Sequence, residues 1–215
     1  MFRFTEEEKQ AIKNAVTEVE KETSGEIVPY FSEKSNTYLS TCWKSAVFFV
    51  LFESVILITL YQLWMIPGWF SAFEFSIMTL FSIFIGFAIP YFYFPARIAL
   101  SGEQEIYNHV MSAAQGAFLT EKVYNTKEKT GILIYISYSE KQVLVLGDSG
   151  INAKVKPEDW EHIVKLVVNG IKQNQAANGI IEAIHECKNL LLQHGFVIKP
   201  NDSNELSNEL RIDES

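Results

Sequence analysis

The sequence predicts an α/β fold: a three-layer domain with a small mixed sheet, interrupted by a two-helix transmembrane hairpin. Three observations predict it. Two apolar runs, residues 45–66 and 73–94, are separated by only six residues. Two short β-rich runs, 131–138 (GILIYISY) and 142–146 (QVLVL), are joined by a polar Ser-Glu-Lys link. Around them lie segments whose apolar residues recur at helical spacing.

The elements follow in chain order. Thr5 and Glu8 form a T-x-x-E capping box, and Ile12, Ala15, Val16 and Val19 share one face, so residues 5–23 read as an amphipathic helix that Gly25 ends. Residues 26–31 (EIVPYF) have strand composition. Pro29 has no N–H to give a ladder, which places it at an edge or a bulge. A polar link, 32–41, leads to the apolar runs. Each run holds 22 residues, which at about 1.5 Å per residue reaches about 33 Å, enough for a hydrocarbon core of about 30 Å. Soluble core helices rarely stay apolar on every face for that length.

After the hairpin, residues 95–124 read as helical, restarting at Ser101, with Ile106, Val110, Ala113 and Ala117 at helical spacing. The near-continuous apolarity of 131–138 marks a strand buried on both faces. Gly147-Asp148-Ser149-Gly150 breaks the sheet. Pro157, Glu158 and Asp159 open a helix whose stripe is Trp160, Ile163, Val164, Val167, Val168 and Ile171. A second helix, 178–194, turns Ile180, Ile184, Cys187 and Leu191 inward, and Gly195 stops it. The tail from Pro200 is polar and acidic without a core pattern and is expected to be disordered. The expected organisation is therefore 1–41 as the first part of the domain, 42–96 as the hairpin, 97–198 as the remainder, and 199–215 as the tail.

Composition narrows the function classes. A net charge of −8 argues against nucleic acid, and no basic cluster flanks the hairpin to grip anionic lipid. No apolar stretch precedes residue 45, so no cleavable signal peptide is expected. Lys34, Lys44 and Arg97 flank the outer ends of the spans and the turn 67–72 has no Lys or Arg, which places both termini in the cytoplasm. Trp43, Trp64, Trp69, Tyr91 and Tyr93 fall where interfacial aromatics belong. Cys42 and Cys187 show no metal or redox spacing and are expected to be reduced thiols. No Walker, dinucleotide-binding or C-x-x-C motif is present, the four histidines lack ligand spacing, and neither cofactor nor metal is expected.

The strings T-S-G-E-I-V-P (23–29), T-G-I-L (130–133) and G-D-S-G-I (147–151) resemble the TPM domain, a family named from a thylakoid lumen protein, a photosystem II repair protein and an acetylcholine-receptor modulator. The interrupted order is most similar to a bacterial membrane branch, implying a bacterial inner membrane location. The resemblance implies a Rossmann-like αβα sandwich and, for some members, weak acid phosphatase activity and calcium. In the soluble family pattern carboxylates and Asn precede the second strand. Here that place reads Asn125-Thr126-Lys127-Glu128-Lys129-Thr130-Gly131, and calcium needs six to eight oxygen ligands.

The chemical candidates are few. Asp148 follows a strand end, where open sheets tend to place ligands, though G-D-S-G is also an ordinary turn. With Glu128 it forms the weak catalytic pair of a membrane-tethered phosphoester hydrolase. Glu53 lies eight residues inside the first run, where a charge costs about 2.5–3.5 kcal/mol. A hairpin turning near 69–70 sets Glu53 opposite Gly86, which leaves room for the carboxyl, with Ser82 one turn away to hydrogen-bond it. Glu53 then reads as an interhelical or oligomer contact, a partner-recognition group, or a site of proton or ion handling. The leading expectation is a non-enzymatic integral membrane protein whose partners are the bilayer and another membrane protein, with homo-oligomers allowed.

Overall fold

The computed structural model describes residues 3–67, 70–199 and 204–213. The chain forms two compact units: Met1–Ser35 with Tyr107–Ser215, and Asn36–Ile106. The first is built on a four-stranded sheet, the second on two long helices.

In the sheet unit, β1 (Glu26–Ser32), β2 (Gly131–Ser137), β3 (Gln142–Gly147) and β4 (Arg211–Asp213) lie in the order β3-β2-β1-β4. β1 runs parallel to β2 and β4, and β2 antiparallel to β3, so the sheet is mixed as expected. All seven residues of β2 are buried. Ile132, Ile134 and Ile136 join the main core with Ile12, Val16 and Val19 of α1 (Glu6–Glu20), Ile163 and Val167 of α7 (Glu161–Lys172), and Ile180, Ile184 and Leu191 of α8 (Ala176–Gln193). At about 1.5–3 kcal/mol per fully buried aliphatic side chain, this one face dominates the unit's stability.

The opposite parity, Val28, Leu133 and Tyr135, is equally buried but outside that cluster. The helix over this second face is α5 (Glu103–Thr120), which buries Val110, Ala114 and Ala117 and shares a cleft with Leu146 and Gly147 of β3. That gives three layers. The inward stripe passes through Ala114, with Ala113 only half-buried.

α1 begins as the sequence implies: Thr5 Oγ1 accepts from Glu8 N, and Glu8 Oε2 from Thr5 N. Lys141, at a left-handed φ of 53°, closes the β2–β3 turn. A 3-10 turn, Pro157–Trp160, precedes α7, and a short α6 (Ser149–Asn152) fills the break after β3.

Pro29 sits inside the sheet order, and its position explains why this is tolerated. Glu26 N donates to Thr130 O and Ser32 O accepts from Tyr138 N, so even-numbered residues of β1 face β2 and odd ones face away. Pairing with β4 starts only at Tyr30. The missing N–H of Pro29 therefore points at open edge. Ile27 N, two residues earlier on the same side, donates to Glu20 Oε1 instead.

β4 corrects the expectation of a disordered tail. Residues 204–213 carry no apolar period, yet Tyr30, Phe31 and Ser32 pair with Arg211, Ile212 and Asp213. Backbone pairing and polar side chains hold this segment, and hydrophobic periodicity is blind to both. Pro200 lies outside the described residues.

The hairpin unit contains α2 (Leu39–Gln62), α3 (Ala72–Phe92) and α4 (Phe94–Leu100). α2 starts six residues before the apolar run. α3 opens on a Ser71–Glu74 capping box and holds Pro90. Arg97 closes it: Nε donates to Pro90 O at 2.7 Å, and the guanidinium also reaches Tyr91 O and Thr37 O. A cation on the last carbonyls of a helix suits both their unpaired lone pairs and the helix dipole. Trp69, expected as an interfacial aromatic, lies outside the described residues.

Both long helices are apolar enough to cross a membrane, and only 17% and 6% of their apolar windows is buried in the chain's own fold. Val47, Phe48, Leu51, Phe52, Val55 and Ile58 of α2 are exposed, as are Leu80, Phe81, Phe84 and Phe92 of α3.

Candidate functional site

The parallel pair β1–β2 begins at Glu26 and Gly131, and the β2–β3 turn returns the chain so that Gly147 lies beside Ile132. Three strand ends and the loop before β2 therefore meet at one end of the sheet. Two glycines make the junction close. A Cβ on Gly131 would overlap Val123 O, and one on Gly150 would lie 2.5 Å from Glu128 O and 2.6 Å from Lys129 O. Gly150 N donates to Lys129 O and Asp148 N to Gly131 O, both at 2.9 Å. The loop is folded on itself, with Thr126 Oγ1 accepting from Thr130 N and Lys129 held at φ 59°.

A polar cavity of about 100 Å³ opens here, lined by Ser24, Glu26, Lys127, Glu128, Thr130, Lys199 and Glu205. Its three carboxylates all have partners. Glu26 accepts from Glu205 N and Leu206 N, each at 3.2 Å. Lys199 Nζ lies 2.5 Å from Glu128, and Lys127 meets Glu205 through Nζ at 3.1 Å and through its backbone N at 2.7 Å. Behind the cavity, Glu20 accepts from Ile27 N and Asn208 Nδ2. Burial and the neighbouring Glu26 push its carboxyl up to about 8.

The two sequence candidates reach the same end of the sheet without being joined by a hydrogen bond. Glu128 lines the cavity, tied to Lys199. Asp148 caps α6, with Oδ1 accepting from Ser149 N at 2.6 Å, while its Oδ2 is buried without a partner among the described residues. The structure thus gives Asp148 the turn-and-cap geometry that G-D-S-G commonly adopts.

The calcium that the TPM resemblance implies does not fit these residues. A hard cation needs six to eight oxygens free to turn toward it. Here ammonium groups and backbone N–H donors already hold the carboxylates, and Lys127 and Lys199 bring positive charge into the cavity. Among the described residues, no group of three or more His, Cys, Asp or Glu side chains is arranged to hold a metal. Sequence reading missed Glu20, Glu26 and the 204–208 segment as a set, because its members are far apart in the chain and only β1–β4 pairing brings them together.

At the other end of β1 and β2, Ser35 Oγ contacts Ser137 Oγ at 2.6 Å and Tyr135 Oη at 3.1 Å. Glu140 accepts from Ser137 Oγ and Ser35 N. This network is partly buried and mutually satisfied, so it fixes the chain exit rather than offering a ligand site.

In the hairpin unit, Glu53 is 8% exposed, and neither carboxyl oxygen has a hydrogen-bond partner among the described residues. The expected register is corrected. Gly86 faces Ala46 and Phe49, where an added Cβ would lie 2.8 Å from Ala46 Cα and 3.0 Å from Phe49 Cβ. The glycine makes room for α2 one to two turns before Glu53, so it does not serve the carboxyl. Ser82 is half-buried, and the hydrogen bond expected from it to Glu53 is not formed.

Residues 101–190 match the family model of the TPM domain. The T-G-I-L and G-D-S-G-I strings fall within the match, and the resemblance read from the residues is borne out over that stretch. The T-S-G-E-I-V-P string lies outside it, and the β1–β2 pairing places it in the same sheet as the TPM stretch. Among solved structures, the fold is similar to the NMR structure of the BA42 protein from the psychrophilic bacterium Bizionia argentinensis. The TM-score is 0.60 at 21% identity, covering 99% of this chain and 97% of that one. The comparison with curated proteins gave no match.

Proposed function

We propose that this chain is an integral membrane protein. In this reading α2 and α3 cross the bilayer as a hairpin, both termini lie in the cytoplasm, and the TPM domain binds or helps assemble another membrane protein. One observation carries the membrane reading: both 20-residue-scale helices present large aliphatic and aromatic side chains outward, with 17% and 6% of their apolar windows buried. A hairpin returns the chain to the face it left, which lets the two halves of the sheet unit meet. The binding role is supported by a cavity whose carboxylates are engaged by the chain's own lysines and amides. In-cell crosslinking followed by mass spectrometry tests it. One reproducible membrane-protein partner is expected, and recovery of random neighbours only would overturn it.

A second reading, a membrane-tethered phosphoester hydrolase, draws on the unpartnered Oδ2 of Asp148 beside the Glu128 loop. Purified full-length protein assayed on a generic phosphoester, with and without divalent metal, separates the two. Turnover abolished by Asp148→Asn would favour the hydrolase.

A further inference from the structure

Arg97 is a half-buried cation whose partners are all neutral. Its Nε donates to Pro90 O at 2.7 Å, one Nη to Thr37 O at 2.8 Å, and the other Nη to Tyr91 O. The rings of Tyr91 and Phe94 stand 5.5 and 5.6 Å from its central carbon. Among the described residues no carboxylate pairs with it, and the nearby acid of α5, Glu105, is engaged by Lys44 at 2.6 Å and by Ser40. A guanidinium has five N–H donors, and three are used here, which leaves one on each Nη atom. An anion with two oxygens on one centre can take both.

We propose that Arg97 is the centre of a phospholipid-binding site, in which its two spare N–H groups take the phosphate of one lipid. The proposal rests on the membrane reading above. α3 has 21 residues, which at about 1.5 Å each cover about 31 Å, the thickness of the hydrocarbon layer. Its last carbonyls, the ones Arg97 holds, therefore emerge where lipid phosphates begin. Tyr91, Phe92 and Tyr93 are exposed at the same level, the position of an interfacial aromatic belt. A partly desolvated cation with neutral partners needs a counter-ion, and the abundant anion at that depth is phosphate. Tyr91 and Phe94 wall the guanidinium, which limits how much water competes for it. The recognised group is the phosphate diester, so zwitterionic and anionic phospholipids both qualify, and one directional contact needs no basic cluster.

Native mass spectrometry of the full-length protein, delipidated in detergent micelles and titrated with dioleoylphosphatidylglycerol, tests this. Wild type should take up one lipid ahead of any others, and Arg97→Gln should weaken that first uptake about tenfold. Dioleoylglycerol, which has the same tails and no phosphate, should not displace it. Equal uptake by Arg97→Gln, or displacement by dioleoylglycerol, would overturn the proposal. Displacement by millimolar inorganic phosphate would assign the site to a free anion and overturn the lipid. If Arg97→Gln does not fold, wild type supplies the test: a phospholipid with a photoreactive headgroup should label residues 91–97, and labelling confined to other residues overturns the site. Ultracentrifugation without detergent keeps the two failures apart. Pelleted protein whose Arg97→Gln form keeps its lipid removes this site alone, whereas soluble protein removes the membrane reading as well.

Discussion

Gly170 and Gly179 lie back to back where α7 crosses α8, and a methyl group on Gly170 has nowhere to go. Its Cβ would sit 2.8 Å from Gly179 Cα and 2.9 Å from Gln175 O. Both are backbone atoms, so no rotamer change relieves the overlap, and the helices must part by most of an ångström. Such overpacking costs about 1–3 kcal/mol, and immovable backbone puts this site at the upper end. Replacing a helical glycine by alanine returns about 1 kcal/mol of helix propensity. The net for Gly170→Ala is therefore a loss of about 2 kcal/mol. Gly116, exposed on α5, is the control, because a Cβ there meets nothing within 4 Å. Gly116→Ala should stabilise by up to about 1 kcal/mol from the same propensity term. Urea unfolding of the full-length protein in mild detergent, read by hydrogen exchange of the β2 amides, measures both. Shifts of the same sign in the two variants would refute the packing argument.

Two further outcomes follow from burial. Cys187 is fully buried, and desolvation pushes its thiol from an ordinary 9.0 up to about 12. Above pH 9 the unfolded chain ionises first and holds fewer protons than the fold, so this residue should cost about 1.4 kcal/mol of stability per pH unit until about 12. Alkaline unfolding of wild type against Cys187→Ala checks it, and identical alkaline slopes contradict it. Glu53→Leu removes a buried carboxyl without partners, and apparent membrane insertion of α2 should improve by about 2–3 kcal/mol in a glycosylation-mapping assay. Unchanged insertion would mean that the carboxyl finds a donor from another molecule.

The parts of this fold that were legible in the sequence are those built on periodicity and local chemistry. Thr5 and Glu8 announce α1, the unbroken GILIYIS run announces a strand buried on both faces, and the Ile163–Val167–Ile171 stripe announces α7. β4 was not legible, since Arg211, Ile212 and Asp213 are held by pairing with Tyr30–Ser32, a relation between residues about 180 positions apart. Pro29 was half legible: its lost donor does face open edge, but only because β4 begins one residue later. The site divides in the same way. Asp148 could be named from its strand-end position and Glu128 from the resemblance to the family pattern, whereas Lys199 and Glu205, which occupy Glu128 and Lys127, could not. The Glu53 register failed because the contact is set by side-chain bulk, with Phe49 and Ala46 seated against Gly86, rather than by counting from the turn.

The claim on which the rest depends is that lipid covers the outward faces of α2 and α3. Fractionation of full-length protein by ultracentrifugation without detergent tests it most directly. The chain is expected in the membrane pellet, released only by detergent. Folded, monodisperse protein in the supernatant would contradict it.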